Sequence, residues 1–139
     1  MNFRMQFIEH QYDLTVLEHH LDTFGHVNNA TYLQILEEAR WDLITKRGYG
    51  VDVIQATGLG PVILDIQISF RKELLLREQI TVHTQTQSYQ KKISVISHEI
   101  KNGQGQICAQ AKFTFGLFDI KTRKLVMPTE QWLYAIGMD

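Results

Sequence analysis

The chain has 139 residues, a formal net charge of -1 and a hydrophobic fraction of 44%. This length suits one folded domain that spans residues 1–139. The near-neutral charge argues against a nucleic-acid-binding protein, and no run of about 18 apolar residues indicates a membrane-spanning helix. The first ten residues do not resemble a secretory signal. Because the single Cys108 excludes an intrachain disulfide and a thiolate-rich metal site, we expect a cytoplasmic protein.

The first half of the sequence predicts a strand, a polar loop and one long helix. Apolar and polar residues partly alternate within 3–17, which favours a β-strand. From Asn29 to about Arg47 there is no Gly or Pro, and the apolar residues share one helical arc. We expect Asn28 to cap the start of this helix and Gly48 to end it. The arc that should be buried comprises Tyr32, Leu33, Ile35, Leu36, Ala39, Leu43 and Ile44.

The second half of the sequence changes to a two-residue period, which is typical of half-buried antiparallel strands. The predicted strands are 62–70, 80–88, 93–100 and 107–117, with a turn at 102–105 and a short helix within 129–136. These elements predict an α+β fold in which one long helix packs on a curved antiparallel sheet of about five or six strands. The edges of such a sheet favour pairing with a second copy, so we expect a homodimer.

The chemistry is expected in the polar loop before the helix. A helix N-terminus presents unpaired N–H groups and a partial positive charge, and both suit a developing oxyanion. Asp22 stands seven residues before Asn29, so its carboxylate could lie beside that site. Gly25 permits a tight turn and close approach of a ligand to the backbone.

One motif resembles the signature of the 4-hydroxybenzoyl-CoA thioesterase-like group of hotdog acyl-CoA thioesterases. It reads Asp22-x-x-Gly25-His26-Val27-Asn28-Asn29-x-x-Tyr32, followed by Glu37-x-Ala39-Arg40. The predicted helix and strands follow in the same order over most of the chain. The resemblance implies a hotdog fold, an acyl-CoA substrate and no cofactor. It leaves open the acyl group, the choice between CoA and an acyl carrier protein, and the choice between a dimer and a tetramer of two dimers.

The resemblance also implies roles for individual residues. The carboxylate of Asp22 would attack the thioester carbonyl or activate water, and the backbone N–H near Asn29 would hold the carbonyl oxygen. His26 is the third candidate catalytic residue. The candidate substrate-binding residues are the motif's Gly25, Val27 and Tyr32, together with Arg71 and Lys72, which follow a strand and would hold the CoA phosphates.

Several of these residues have plainer interpretations. Asp22 could simply cap a turn, because Asp-Thr-x-Gly is ordinary turn chemistry, and His26 could only orient the loop through the backbone. A second branch of hotdog thioesterases uses a carboxylate on the long helix, for which Glu37 is the candidate. Arg40 falls inside the apolar arc, and an intrahelical or intersubunit pair with Glu37 would offset the cost of its burial.

The remaining polar residues near the motif are expected to be structural or solvated. His19 and His20 could be solvated or could pair with Asp22, and no metal site is expected because a helical His pair spaced i, i+4 is missing. Arg71 and Lys72, with the nearby Arg77, could form a solvated strand end. Cys108 is interpreted as a packing residue.

Two other functions compete with thioester hydrolysis. A hotdog dehydratase or hydratase would use an Asp and a His on this loop, but the Asn-Pro usual between them is replaced here by Thr23-Phe24-Gly25. A non-catalytic acyl-CoA-binding module would normally carry an added DNA-binding helix pair, for which 139 residues leave no room. Release of free thiol from a panel of acyl-CoAs separates these functions.

Overall fold

The computed structural model describes residues 6–139, so positions 3–5 of the first predicted strand lie outside the described residues. A 3₁₀ turn at Glu18–His20 lies between the first strand and the first helix. The elements are β1 Glu9–Thr15, α1 Asn29–Lys46, α2 Val51–Thr57, β2 Leu59–Phe70, β3 Gln79–Gln90, β4 Ile93–Asn102, β5 Ile107–Asp119, β6 Lys124–Val126 and α3 Glu130–Ala135.

The strands form one antiparallel sheet in the order β1-β3-β4-β5-β2, and the short β6 pairs with the end of β5. β1 and β2 are therefore the two edges, and β2, with 12 residues, is the longer of them. A register shift between Ile63 and Asp65 leaves Leu64 as an extra residue in β2. The expected α+β class is confirmed, and the antiparallel sheet expected to have about five or six strands has six.

α1 begins and ends where its sequence predicts. The Asn28 side chain accepts a hydrogen bond from the Ala30 N–H at 2.8 Å, and Gly48 follows the last turn with φ +86°. Six side chains of the predicted arc are buried, while Leu33 is partly buried. Burial of each large aliphatic side chain contributes about 1.5–3 kcal/mol, so this face holds the helix on the sheet.

Two elements have no counterpart among the predictions. α2 spans only seven residues between Gly50 and Gly58, which is too short to show a helical repeat, and β6 has three residues. β2 begins at Leu59, three residues before the predicted start. The short C-terminal helix is confirmed as α3, whose Thr129 side chain accepts a hydrogen bond from the Trp132 N–H.

The buried side chains form two clusters along α1. One lies under the first half of the helix and includes Ile35 and Ala39. The other lies under its C-terminal end, where Leu43 meets Trp132 of α3 and Phe115 of β5. In residues 6–139, no helix has the length and apolar character needed to cross a bilayer.

Candidate active site

Backbone hydrogen bonds and the Asp22 side chain hold the polar loop in a tight turn. The Asp22 N–H donates to the His26 carbonyl at 2.8 Å, and the Gly25 N–H donates to the Asp22 carbonyl at 3.0 Å. Asp22 Oδ1 accepts from the N–H groups of Phe24 at 2.9 Å and His26 at 3.3 Å. Asp22 therefore does cap the turn with one oxygen, and its Oδ2 accepts no hydrogen bond from residues 6–139.

The start of α1 leaves one backbone donor free. The Ala30 N–H is taken by the Asn28 side chain, and the Thr31 and Tyr32 N–H groups donate to the Asn28 carbonyl. The Asn29 N–H has no acceptor in the part of the chain that the structure describes. It lies at the positive end of an 18-residue helix, where it suits an anionic oxygen.

An open cleft lies in front of this donor. Its walls are the start of α1 and the segment that follows β2, and the Tyr32 ring meets the Phe70 ring edge-on at 4.9 Å between centroids. The lining residues are Val27, Asn29, Tyr32, Phe70, Arg71, Lys72 and Glu73. Five of the eight predicted site residues are thus brought together, while Asp22, Gly25 and His26 are not among the residues that line the cleft.

Glu73 connects the loop to the segment after β2. His26 Nδ1 lies 2.8 Å from Glu73 Oε2, and both side chains are more than half exposed, at 60% and 55%. His26 therefore contacts a side chain of the neighbouring segment, where the sequence suggested a backbone contact. Glu73 was not predicted as a site residue, and its place directly after Arg71 and Lys72 was the one available signal.

The two basic residues of the cleft differ in how they are held. The Lys72 ammonium donates to the Gln106 side chain at 2.7 Å. The backbone N–H groups of Arg71 and Lys72 both donate to the Cys108 carbonyl. The Arg71 guanidinium forms no hydrogen bond or ion pair within residues 6–139, so it is available to an anionic ligand.

The histidines before the loop serve the backbone and each other. His20 Nδ1 accepts the Leu17 N–H at 2.8 Å, and the rings of His19 and His20 lie tilted to each other with 4.1 Å between their centroids. Burial, followed by the charge of His19, lowers the pKa of His20. His19 is exposed, as one expectation had it, whereas His20 is buried; neither pairs with Asp22 in the described residues.

Arg40 is half-buried, and within residues 6–139 it does not form the intrahelical pair with Glu37 that the sequence suggested. Its Nη1 donates to His98 Nε2 at 3.1 Å, and its guanidinium carbon lies 4.0 Å from the centroid of the Phe113 ring. Burial lowers the pKa of Arg40 to about 10. Because Arg40 can only donate, His98 Nε2 accepts and its Nδ1 carries the proton, which it donates to Thr84 Oγ1 at 2.9 Å.

The remaining candidates add no reactive group. Cys108 is fully buried, and burial raises the pKa of its thiol, in keeping with a packing role. Glu37 lines a different cavity from Asn29, between α1, β2 and α3. Within residues 6–139, no three His, Cys, Asp or Glu side chains converge as metal ligands.

Comparison with known proteins identifies the family. Residues 16–136 match the Thioesterase-like superfamily. The chain is 36% identical over 115 residues to the long-chain acyl-CoA thioesterase FadM of Escherichia coli, covering 82% of this chain and 86% of FadM.

Solved structures share the fold at low sequence identity. The Staphylococcus aureus protein SAV2348, solved in complex with CoA, is 16% identical, with a TM-score of 0.86 over 97% of this chain and 85% of that one. A Lactobacillus plantarum protein described as an oleoyl thioesterase is 17% identical, with a TM-score of 0.87 over 94% of this chain. The chain spans 51% of that protein.

The matches confirm two expectations from the motif, a hotdog fold and an enzyme that is a thioesterase. The matched range contains the whole loop, all of α1 and the sheet strands from β2 to β6. The chain belongs to the Thioesterase-like superfamily.

Proposed function

We propose that the enzyme hydrolyses an acyl-CoA to a free acid and CoA, with Asp22 as the reacting carboxylate and the Asn29 N–H as the oxyanion donor. One observation carries the proposal: Asn29, whose N–H is free, lines the same cleft as the basic pair Arg71 and Lys72. A thioester held there would place its carbonyl oxygen at the helix terminus and its CoA portion toward the basic pair.

The chemistry needs few groups because a thioester carbonyl is already a reactive electrophile. The Asn29 N–H stabilises the oxygen as it gains negative charge, and the dipole of α1 adds to this effect. Asp22 supplies the base or nucleophile through Oδ2, since Oδ1 is occupied in capping the loop.

Two routes use these groups and give the same products. Oδ2 can attack the carbonyl carbon and expel the CoA thiolate, which leaves a mixed anhydride that water then opens. Alternatively, Oδ2 removes a proton from a water molecule that attacks the carbonyl carbon directly. In both routes the thiolate takes up a proton and leaves as CoA.

The basic pair would hold the phosphates of CoA. The unpaired Arg71 guanidinium can form charge-assisted hydrogen bonds to a phosphate, and Lys72 adds a second positive charge beside it. Two relatives support this choice of carrier, since FadM is named as an acyl-CoA thioesterase and SAV2348 was solved with CoA. His26 then acts as a positioning residue that ties the loop to this segment through Glu73.

A second copy of the chain would complete the enzyme, as a homodimer or as a tetramer of two such dimers. β2 is a sheet edge, and it exposes several large apolar side chains to a degree unusual for a strand. These are Ile63 at 37%, Leu64 at 48%, Ile66 at 41% and Phe70 at 51%. Joining two β2 edges would pair their free backbone groups and cover these side chains.

Sedimentation velocity at micromolar concentration tests the assembly. We expect a species of at least twice the 16.2 kDa chain mass, whereas a 16.2 kDa species alone would contradict it.

Thiol release from a panel of acyl-CoAs tests the activity. We expect turnover of at least one acyl-CoA, with free acid and CoA formed in equal amounts. Addition of water to an enoyl-CoA, with no release of thiol from any ester, would instead assign a hydratase.

A further inference from the structure

A second cavity lies along the same helix, beyond the proposed reaction site. It encloses about 200 Å³ between α1, β2 and α3, and every lining residue except Glu37 and Arg40 is apolar. Its walls include Ile44 of α1, Pro61 and Ile63 of β2, and Trp132 of α3. Polar groups of a substrate would lose hydrogen bonds to water in such a cavity, whereas methylene groups would gain by leaving water.

The cavity and the cleft both lie between α1 and β2, and the space between these two elements is here called the groove. Tyr32 of α1 contacts Phe70 of β2 at the cleft, and Arg40 and Ile63 line the cavity. The helix and the strand therefore run antiparallel. The cleft and the cavity follow one another along the groove.

The strand side of this groove is apolar and open. Ile66 lies between the cleft and the cavity and pairs in register with Phe113, whose ring lies under Arg40, so Ile66 faces the helix. Ile63 pairs with Phe115 and faces the same way. Although they face α1, the two isoleucines remain 41% and 37% exposed, so the helix does not cover this part of the sheet.

The distance along α1 matches a long aliphatic chain. Asn29 and Glu37 are eight residues apart in one helix, which corresponds to about 12 Å. An extended carbon chain advances about 1.3 Å per bond, given a C–C bond of about 1.5 Å, so roughly nine or ten carbons reach the cavity. Shorter acyl groups would end in the groove, and only longer ones would fill the cavity.

We propose that this cavity, here called the tail pocket, binds the distal methylenes of a long-chain acyl group, and that α3 limits the length of the chain. Trp132 of α3 and Ile136, which directly follows α3, line its far side, and both are almost fully buried. The centroid of the Trp132 ring lies 5.0 Å from that of Tyr49 and 6.1 Å from that of Phe115. These contacts hold the Trp132 side chain in place, so it cannot easily move to admit a longer chain. This inference rests on the proposed function, because it measures chain length from the Asn29 N–H.

The test is the chain-length profile of kcat/KM for saturated acyl-CoAs from about four to 18 carbons, measured on the full chain. Burial of each further methylene contributes about fourfold, so the wild-type profile should rise once the chain passes roughly ten carbons. Ile63→Trp should fill the pocket and lower kcat/KM for 14- and 16-carbon esters by at least about tenfold, with four- and six-carbon esters changed by less than about twofold. Ile63→Phe is a smaller change in the same direction and serves if the Trp variant does not fold.

Ile93→Trp is the matched control. Ile93 is the same residue type at the start of β4, is 37% exposed like Ile63, and does not line the tail pocket. It should keep the wild-type profile, which separates filling of the pocket from a general effect of an added tryptophan. Equal losses of kcat/KM at all chain lengths in the Ile63 variants, or a wild-type preference for short chains, would contradict acyl-chain binding in the tail pocket. Either result would leave the proposed function intact. Failure of the wild-type chain to hydrolyse any acyl-CoA would overturn both.

Discussion

The two ends of α1 are both regular helix, but they differ in their surroundings and in their roles. At the N-terminal end the helix faces an open cleft, with a free Asn29 N–H, an unpaired Arg71 guanidinium and the exposed His26–Glu73 pair. At the C-terminal end Leu43 and Ile44 pack against Trp132 and neighbouring buried side chains. Reactive groups thus stay solvated at one end, while apolar burial anchors the helix and shapes a cavity at the other.

Within α1 itself, the largest effect is expected from removing the backbone donor at the N-terminal end. Asn29→Pro deletes the N–H at the first helical position, where Pro is favoured, and Asn28 already has the extended φ of -64° and ψ of 145° that suit a residue before Pro. Loss of one oxyanion donor should lower kcat by about 10²–10³-fold.

Asn29→Ala is the control, because it removes the side chain and keeps the N–H. Its kcat should stay within about threefold of the wild-type value. Steady-state thiol release measures both variants. If the folded Pro variant kept wild-type kcat, the helix terminus would not be the oxyanion site.

The next effect concerns the charges of the cleft. Replacing both Arg71 and Lys72 with Ala should raise KM for an acyl-CoA by about tenfold or more, since charge-assisted hydrogen bonds to the phosphates are lost. Hydrolysis of a short thioester without CoA should change little.

Arg77→Ala is the matched control, because Arg77 pairs with Glu18 and does not line the cleft. It should leave KM for the acyl-CoA unchanged. Equal losses on both substrates in the double variant would show that Arg71 and Lys72 support the fold or the chemistry.

A third prediction concerns stability in the buried region beneath α1. Burial, and then repulsion by Arg40, holds the pKa of His98 well below its ordinary value. Below about pH 6.5 the unfolded chain protonates His98 and the folded chain does not. The unfolded state then binds more protons, so His98 makes the free energy of unfolding decrease as pH falls from about 6.5 toward its folded-state pKa.

His98→Asn keeps an acceptor for Arg40 and removes this titration. The wild-type free energy of unfolding should fall more steeply than that of the variant, by up to about 1.4 kcal/mol per pH unit. Urea unfolding at several pH values between about 7 and 5 measures the difference. Identical slopes would mean that the folded chain protonates His98 as readily as the unfolded chain does.

The smallest effect is expected for the link between His26 and Glu73. Both side chains are largely exposed, so the pair contributes about 0.2–1 kcal/mol. His26→Ala, Glu73→Gln and the double variant should all lower kcat by the same few-fold factor, because each breaks the same link between loop and cleft. If His26→Ala lost much of its kcat while Glu73→Gln kept the wild-type kcat, His26 would act on the substrate itself.

The sequence predicted best those features that depend on near neighbours. The extent of α1, the Asn28 cap and the short α3 follow from periodicity and capping chemistry within a few residues. The motif also identified most of the residues that line the cleft, because five of its implied site residues meet there.

The missed features depend on contacts between distant segments. Arg40 bonds to His98, 58 residues away, and neither residue reveals the other in the sequence. Glu37 was therefore expected as the partner of Arg40, within the helix or across a subunit interface. Glu73 was missed for the same reason, since its contact with His26 exists only once β2 lies beside α1. The tail pocket likewise needs distant elements, α1, α3 and the sheet strands β2, β4 and β5.

The central claim is that the carboxylate of the loop, and not the carboxylate on the helix, does the chemistry. Asp22→Asn and Glu37→Gln each keep side-chain size and remove one charge, so their kcat values for one acyl-CoA compare the two directly. Positioned acid–base catalysis contributes about 10²–10⁴-fold, and Asp22→Asn should lose about that much kcat with little change in KM. Glu37→Gln should stay within about threefold of wild type, since Glu37 lies about 12 Å along α1 from the Asn29 N–H. A fully active Asp22→Asn beside an inactive, well-folded Glu37→Gln would contradict the account and assign catalysis to the helix carboxylate.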